Sequence, residues 1–229
     1  PNSRSFLKKI VVSEDPDKTL SNKEFPWLSY RDIEIGMCPV RALRVAYTGE
    51  LGWELHHPIE MQNYLLDILL SSGKEFNLKL VGARAQNWLR QEKSYKAFGS
   101  DLGRDAGPFE SNLSRFVDIN KNFLGKDALL KRKTDVSCVT LLIDGPKDID
   151  PWGREALYNE TEEVMLGRLT SAGYSVHFKR SIGIGYVKSS FSEVGTKLRI
   201  KIDDAFWDAE IVRDSPYDPQ NERIIDRVQ

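Results

Sequence analysis

The sequence predicts an α+β chain, with an antiparallel sheet and its helices first and an antiparallel barrel or sandwich after it. Three observations carry this. Arg41 to Pro58 alternates apolar and polar residues around two glycines, the pattern of paired strands. Met61 to Ser72 places Met61, Tyr64, Leu65, Ile68 and Leu69 on one helical stripe. From Thr134 onward short alternating runs follow one another, separated by turn residues. The expected domains are therefore residues 1–133 and 134–229.

Taken in order, Ser5 to Ile10 reads as a short helix, with Phe6, Leu7 and Ile10 on one face. Ser13 to Lys23 is polar and contains Asp-Pro-Asp, a loop or turn signal. Arg31 to Ile35 alternates and ends at Gly36, which predicts a strand; Trp27 and Tyr30 beside it read as core residues. In the next run Leu43, Val45 and Tyr47 alternate with Ala42, Arg44 and Ala46, and Thr48 to Gly52 reads as a tight turn. On the returning strand Trp53, Leu55 and His57 point one way and Glu54 and His56 the other, so a carboxylate and an imidazole share a face. That pair reads either as a solvated surface or as a pocket wall.

Gly73 stands as the stop of the Met61 helix. Leu80 opens a further helix expected to run to about Phe98, with Arg84, Trp88, Gln91 and Tyr95 on one face and Gly99 ending it. An aromatic stripe of this kind reads as core before ligand platform. Ser100 to Glu110 is a loop, Leu113 to Ile119 a strand or short helix, and Phe123 to Leu130 a turn entering a helix. The basic run at 131–133 complements that helix's dipole. Expected strands follow at Val136 to Ile143, Ala156 to Tyr158, Val164 to Thr170, Ile182 to Lys188, Lys197 to Ile202 and Phe206 to Val212, then a polar tail.

Composition narrows the function. The 229 residues carry 33 basic and 34 acidic side chains, a balance that gives no long-range attraction to nucleic acid or an anionic membrane. With 40% hydrophobic residues and no apolar run of spanning length, the chain reads as an ordinary soluble protein. Cys38 and Cys138 form no Cys-x-x-Cys pair, and no zinc spacing is present, so no metal is expected. Ser181-Ile-Gly-Ile-Gly-Tyr186 holds a Gly-x-Gly without the third glycine or a following helix; small residues packing a strand explain it better than a dinucleotide site. No Gly-x-Ser-x-Gly element, Walker loop or His-Glu-x-x-His helix occurs.

The words of the central stretch say more. Tyr47-Thr-Gly-Glu-Leu-Gly-Trp-Glu-Leu55 resembles the Tyr-Thr-Gly-Glu-x-Gly-x-Glu signature of the aminomethyltransferase family, which comprises the glycine-cleavage T-protein and its folate-binding relatives. The Leu-Gly-Trp-Glu-Leu form is most similar to the folate domain of the dimethylglycine and sarcosine dehydrogenase branch. Val81-Gly-Ala-Arg84 with Leu89-Arg90-Gln-Glu92-Lys93, Gly107-Pro108-Phe-Glu110, Phe123-Leu-Gly-Lys126 and Gly167-Arg-Leu-Thr170-Ser171 resemble further family motifs, in order along the chain.

The resemblance implies a pocket for tetrahydrofolate and a C-terminal barrel. It implies that Glu54 grips the pterin, whose amino group and ring N–H are parallel donors that one carboxylate accepts together. It implies contacts from Tyr47, Leu55, His56 and Arg84, and it places Arg115 and Arg223 where relatives carry pocket tyrosines. The Pro1-Asn-Ser-Arg4 segment resembles one found well inside family members, so the chain is expected to open within a domain. The family's catalytic aspartate and the flavin (FAD) domain of the dehydrogenase branch would lie upstream; Asp101 and Asp105 match no catalytic motif. The expected partners are small molecules, folate and an amine donor, with self-association through the cut face. The expected setting is the cytoplasm, or the mitochondrial matrix in a eukaryote.

Overall fold

The computed structural model describes residues 2–132, 134–145 and 149–226. The chain packs as two compact units, Pro1–Gln86 with Asp218–Gln229, and Asn87–Tyr217.

The first unit is a three-stranded antiparallel sheet backed by helices. Helix α1 (Ser3–Ile10) buries Phe6 and Leu7. The polar stretch after it contains one short turn of helix, α2 (Pro16–Thr19), started by Pro16 and capped by the Asp15 carboxylate, which accepts from the Lys18 N–H. Strands β1 (Tyr30–Ile35) and β2 (Cys38–Leu43) form a hairpin whose two-residue turn begins at Gly36, in the left-handed region at φ 58°. A Cβ there would sit 2.5 Å from the Tyr64 Oη, which itself accepts the Met37 N–H, so glycine is required on both counts.

Strand β3 (Glu54–His56) pairs with β2 through Arg41↔His56, Ala42↔Leu55 and Leu43↔Glu54. The returning strand is therefore where the sequence puts it, but the outgoing strand is shorter. β2 stops at Leu43, and residues 44–53 form a loop instead of a strand with a tight turn. The partner causes this: Leu28, facing Arg44, is itself left-handed (φ 65°), so nothing continues the ladder beside Val45. Helix α3 (Gln62–Gly73) lays Tyr64, Leu65, Ile68 and Leu69 against Leu7, Phe25, Ile35 and Val40. Gly73 is not its final stop: a 3-10 turn, Lys74–Phe76, continues to left-handed Asn77. Gly73 is needed because a Cβ would meet the Leu78 side chain at 2.7 Å.

Helix α4 (Ala83–Glu92) is shorter than its apolar pattern suggests. Ser94 takes the left-handed position (φ 53°), with Tyr95 N–H to Arg90 C=O and Ser94 N–H to Gln91 C=O closing the end. Tyr95 thus lies beyond the helix. Leu113 to Ile119 contains only a 3-10 turn, Ser114–Phe116, and α5 (Lys126–Lys131) follows.

The second unit centres on a closed antiparallel barrel ordered β4-β7-β6-β5-β8-β9. Its strands are β4 (Val136–Ile143), β5 (Ala156–Tyr158), β6 (Met165–Ser175), β7 (Arg180–Lys188), β8 (Lys197–Ile202) and β9 (Ala205–Val212). Leu141, Ile143, Leu157, Leu169, Val187, Leu198, Ile200 and Ile211 fill the core. The β6–β7 contact is close: a Cβ on Gly167 would sit 1.9 Å from the Tyr186 C=O, and one on Gly185 would sit 2.5 Å from the Arg168 C=O. The Gly-x-Gly run is thus a packing device. β6 runs on to Ser175, past its expected end, because Gly173 leaves room for the Trp88 indole, 2.1 Å from where a Cβ would stand.

Candidate functional site

The antiparallel register writes two rows across the outer face of the first unit's sheet. One row is Tyr30–Leu43–Glu54 and the next is Asp32–Arg41–His56. Because side chains alternate, Ile35, Cys38, Val40 and Ala42 go inward and these six go outward. Tyr30 is therefore not a core residue; it is 63% exposed and lies against the Arg41 guanidinium, 5.2 Å from its ring centre. Arg41 forks onto Asp32, Nε to Oδ1 at 2.8 Å and Nη2 to Oδ2 at 3.1 Å. Those hydrogen bonds hold the Asp32 carboxyl below the usual carboxylate range.

Glu54 faces outward beside His56, whose Nε2 is 3.6 Å from the Glu54 Oε2. Its side chain is about half exposed (53%), and His56 is the ion-pair partner recorded for it among the described residues. An open concavity of about 980 Å³ spreads over the same face, lined by Asp32, Arg41, Leu43, His56 and His57, with Val12 and Ser13 at its edge. Glu54 is outside that lining but is the cross-strand neighbour of Leu43, which is in it. Leu55 turns inward and packs against the apolar core. The sheet therefore brings Glu54, Leu55 and His56 together as consecutive residues of one strand.

Tyr47 sits half-buried in the loop 44–53. That loop is pinned where Ser3 Oγ donates to the Leu51 C=O at 2.6 Å, and Gly49 within it is buried with φ 77°. Arg223 belongs to the same unit through the returning tail and lies 3.9 Å from the Glu50 carboxylate of that loop. Arg84 is exposed in the first turn of α4, in the first unit. Arg115 is in the second unit, exposed, with its guanidinium 4.8 Å from the Phe116 ring centre.

Sequence reasoning passed over Arg44. It is 1% exposed, a full guanidinium inside the first unit. Its Nη1 donates to Asn22 Oδ1 and to the Phe25 C=O, both at 2.7 Å. The signal was present: Arg44 stands two residues after Ala42, which is fully buried, so a strand pattern puts both on the inward face.

The second unit has its own buried charges. Arg90 Nη1 donates to Asp101 Oδ2 at 2.7 Å with both side chains inside. Asp101 also accepts from Thr170 Oγ1 at 2.6 Å and from the Ala97 N–H at 2.9 Å. Its oxygens are therefore fully engaged, which suits a structural carboxylate. Burial pushes the Cys138 thiol and the Tyr186 phenol each up to about 12.

Comparison with known proteins places this geometry. The GCVT N-terminal domain model matches residues 1–121, and the glycine cleavage T-protein C-terminal barrel domain model matches 137–218. Mitochondrial dimethylglycine dehydrogenase of Mus musculus is 36% identical over 93% of this chain, which spans 24% of that protein. An aminomethyltransferase of Caldanaerobacter subterraneus subsp. tengcongensis is 29% identical over 88% of this chain, which spans 52% of it. The crystal structure of glycine cleavage system aminomethyltransferase T from Bartonella henselae superposes with a TM-score of 0.74 at 22% identity, covering 89% of this chain and 56% of that one, a likeness of fold. The chain thus spans about a quarter of the dehydrogenase and about half of the transferases. The sheet, the closed barrel and a family model covering more than half of the residues agree: the chain belongs to the glycine cleavage T-protein family.

Proposed function

We propose that this chain is the folate-handling part of a protein that moves a one-carbon unit from an amine donor, such as an N-methylated glycine, to tetrahydrofolate. One observation carries the reading. Glu54 presents a carboxylate on an outward strand face, beside an open concavity, and among the described residues its ion-pair partner is an imidazole at 3.6 Å. Asp32, one strand row away, has its carboxylate taken up by the Arg41 fork, so the two acids are not equivalent. A carboxylate kept free of an arginine can accept two parallel N–H donors from a flat heterocycle.

The residues that would hold tetrahydrofolate are Glu54 and His56 on the strand, Leu55 through its backbone, Tyr47 and Arg223 around the loop, and Arg84. Arg115 enters on family likeness alone. Bound tetrahydrofolate supplies the nucleophilic nitrogens that receive the carbon unit. This chain's part is to orient the ring against the Glu54 carboxylate. A cytoplasmic or mitochondrial-matrix setting goes with this reading.

The second reading is a structural or binding module without activity of its own. The exposure of the sheet face favours it, because half of the Glu54 side chain meets solvent. Titration calorimetry with tetrahydrofolate separates the two. Saturable binding that weakens at least about tenfold in Glu54→Ala supports the folate reading. A wild-type chain that takes up no heat overturns it and leaves the module.

A further inference from the structure

The loop 44–53 is held from beneath by a relay of polar side chains that ends in the C-terminal segment. Arg44 opens the loop and Trp53 closes it, and the Arg44 guanidinium lies 5.8 Å from the Trp53 ring centre. Arg44 thus touches both ends of the segment that carries Tyr47 and Glu50. Both of its recorded hydrogen bonds leave from one nitrogen; its Nε and Nη2 are buried with no hydrogen-bond partner among the described residues. Its place therefore depends on Asn22 and the Phe25 carbonyl.

Asn22 is shared. Its Oδ1 also accepts from Arg4 Nη2 at 2.6 Å, and Arg4 Nη1 pairs with the Asp226 carboxylate. Asn22 Nδ2 donates back to the Asp226 C=O at 3.4 Å. Asp226 is the one carboxylate in this relay of two guanidinium groups. Burial and the neighbouring Arg4 pull the Arg44 pKa down to about 10, and Asp226 works against that, so the three charges act on one another. The same tail segment reaches the loop directly through Arg223 and Glu50. Ile224, 2% exposed, anchors the segment in the first unit.

We propose that Arg44 is a positioning residue for the loop 44–53, and that residues 218–226 set it through Asp226, Arg4 and Asn22. The loop bears Tyr47 and leads directly into Glu54, so the relay fixes the ligand-gripping residues without touching the ligand. That last step rests on the folate reading above; the ordering of the loop does not.

Hydrogen exchange and tetrahydrofolate titration on the full chain test this, in Asn22→Leu, Asn22→Asp and Asp226→Ala. Asn22→Leu removes the shared acceptor, Asn22→Asp keeps it, and Asp226→Ala cuts the relay at its far end. The expected result is exchange at least about tenfold faster at residues 45–53 in Asn22→Leu and Asp226→Ala, with strand β4 of the barrel unchanged. Tetrahydrofolate affinity falls about tenfold in the same two variants and holds in Asn22→Asp. Unchanged exchange in both variants overturns the proposal, as does faster exchange with unchanged affinity, or an Asn22→Asp variant as loose as Asn22→Leu. If Asn22→Leu does not fold, Asp226→Ala decides alone. A wild-type chain that binds no tetrahydrofolate removes the folate reading, and the exchange comparison then decides the positioning role by itself.

Discussion

Two sets of charged side chains, one in each unit, are placed in opposite ways. In the first, Asp32, Arg41, Glu54 and His56 stand outward on one sheet face, in rows set by the strand register. In the second, Arg90, Glu92 and Asp101 are enclosed and used up: Arg90 and Asp101 on each other, Glu92 on Ser175 and the His177 N–H. A charge that has spent its hydrogen bonds inside holds elements in place but offers little to a ligand. A charge on an open face contributes little to stability and remains available. The contrast separates enclosed, structural charges from exposed ones within one chain.

The sharpest way to break it is Arg90→Ala. Removing one partner leaves Asp101 charged and enclosed, which costs about 3–5 kcal/mol. Denaturant unfolding should show that loss, and a loss under about 1 kcal/mol would mean the pair is not enclosed in solution. Gly167→Ala comes next. Its new methyl would collide with the Tyr186 carbonyl, so the expected cost is about 3 kcal/mol by the same measurement.

Alkaline pH gives a graded test. Cys138 rises from 9.0 to about 12 on folding and Tyr186 from 10.0 to about 12. The folded state holds both protons more tightly than the unfolded chain. Their contribution is therefore complete below pH 9 and is lost as pH climbs toward 12. Melting temperature should fall steadily above pH 9, and Tyr186→Phe should flatten the part of the fall above pH 10. The smallest effect belongs to the open face. Arg41→Ala removes a pair whose side chains are 59% and 66% exposed, and its melting midpoint should match that of the wild type. A clear drop would mean the face is covered in solution.

Most of the barrel was legible because its strands are short apolar-rich runs set off by turn residues, and Val136–Ile143, Ala156–Tyr158 and Lys197–Ile202 fall where the pattern puts them. Closure was not legible in the strand pattern, which suits a barrel or a sandwich alike; the family resemblance implied the barrel that the structure has. Closure rests on β4 pairing with β9, Thr140↔Val212 to Ile143↔Ala209, a contact far apart in sequence that a barrel has and an open sandwich need not. The end of α4 was hidden because Ser94 takes a left-handed cap that sequence rules reserve for glycine. The loop 44–53 was misread because Val45 and Tyr47 continue an alternation that the partner strand has already abandoned at Leu28. On the site, the opposed faces of Glu54 and Leu55 were readable from a period of two. The relay beneath was not, because Asn22, Arg4 and Asp226 belong to three separate segments and carry no spacing signal.

The first unit is discontinuous, since its last piece follows residues 87–217 in the chain. On a ribosome adding roughly 5–20 residues per second, that interval lasts on the order of ten seconds. Throughout it Arg4 still lacks its aspartate, because Asp226 has yet to be made. A nascent chain halted before residue 218 should therefore show a finished hairpin and an unsettled Arg44, which makes the order of synthesis part of how the loop 44–53 is ordered.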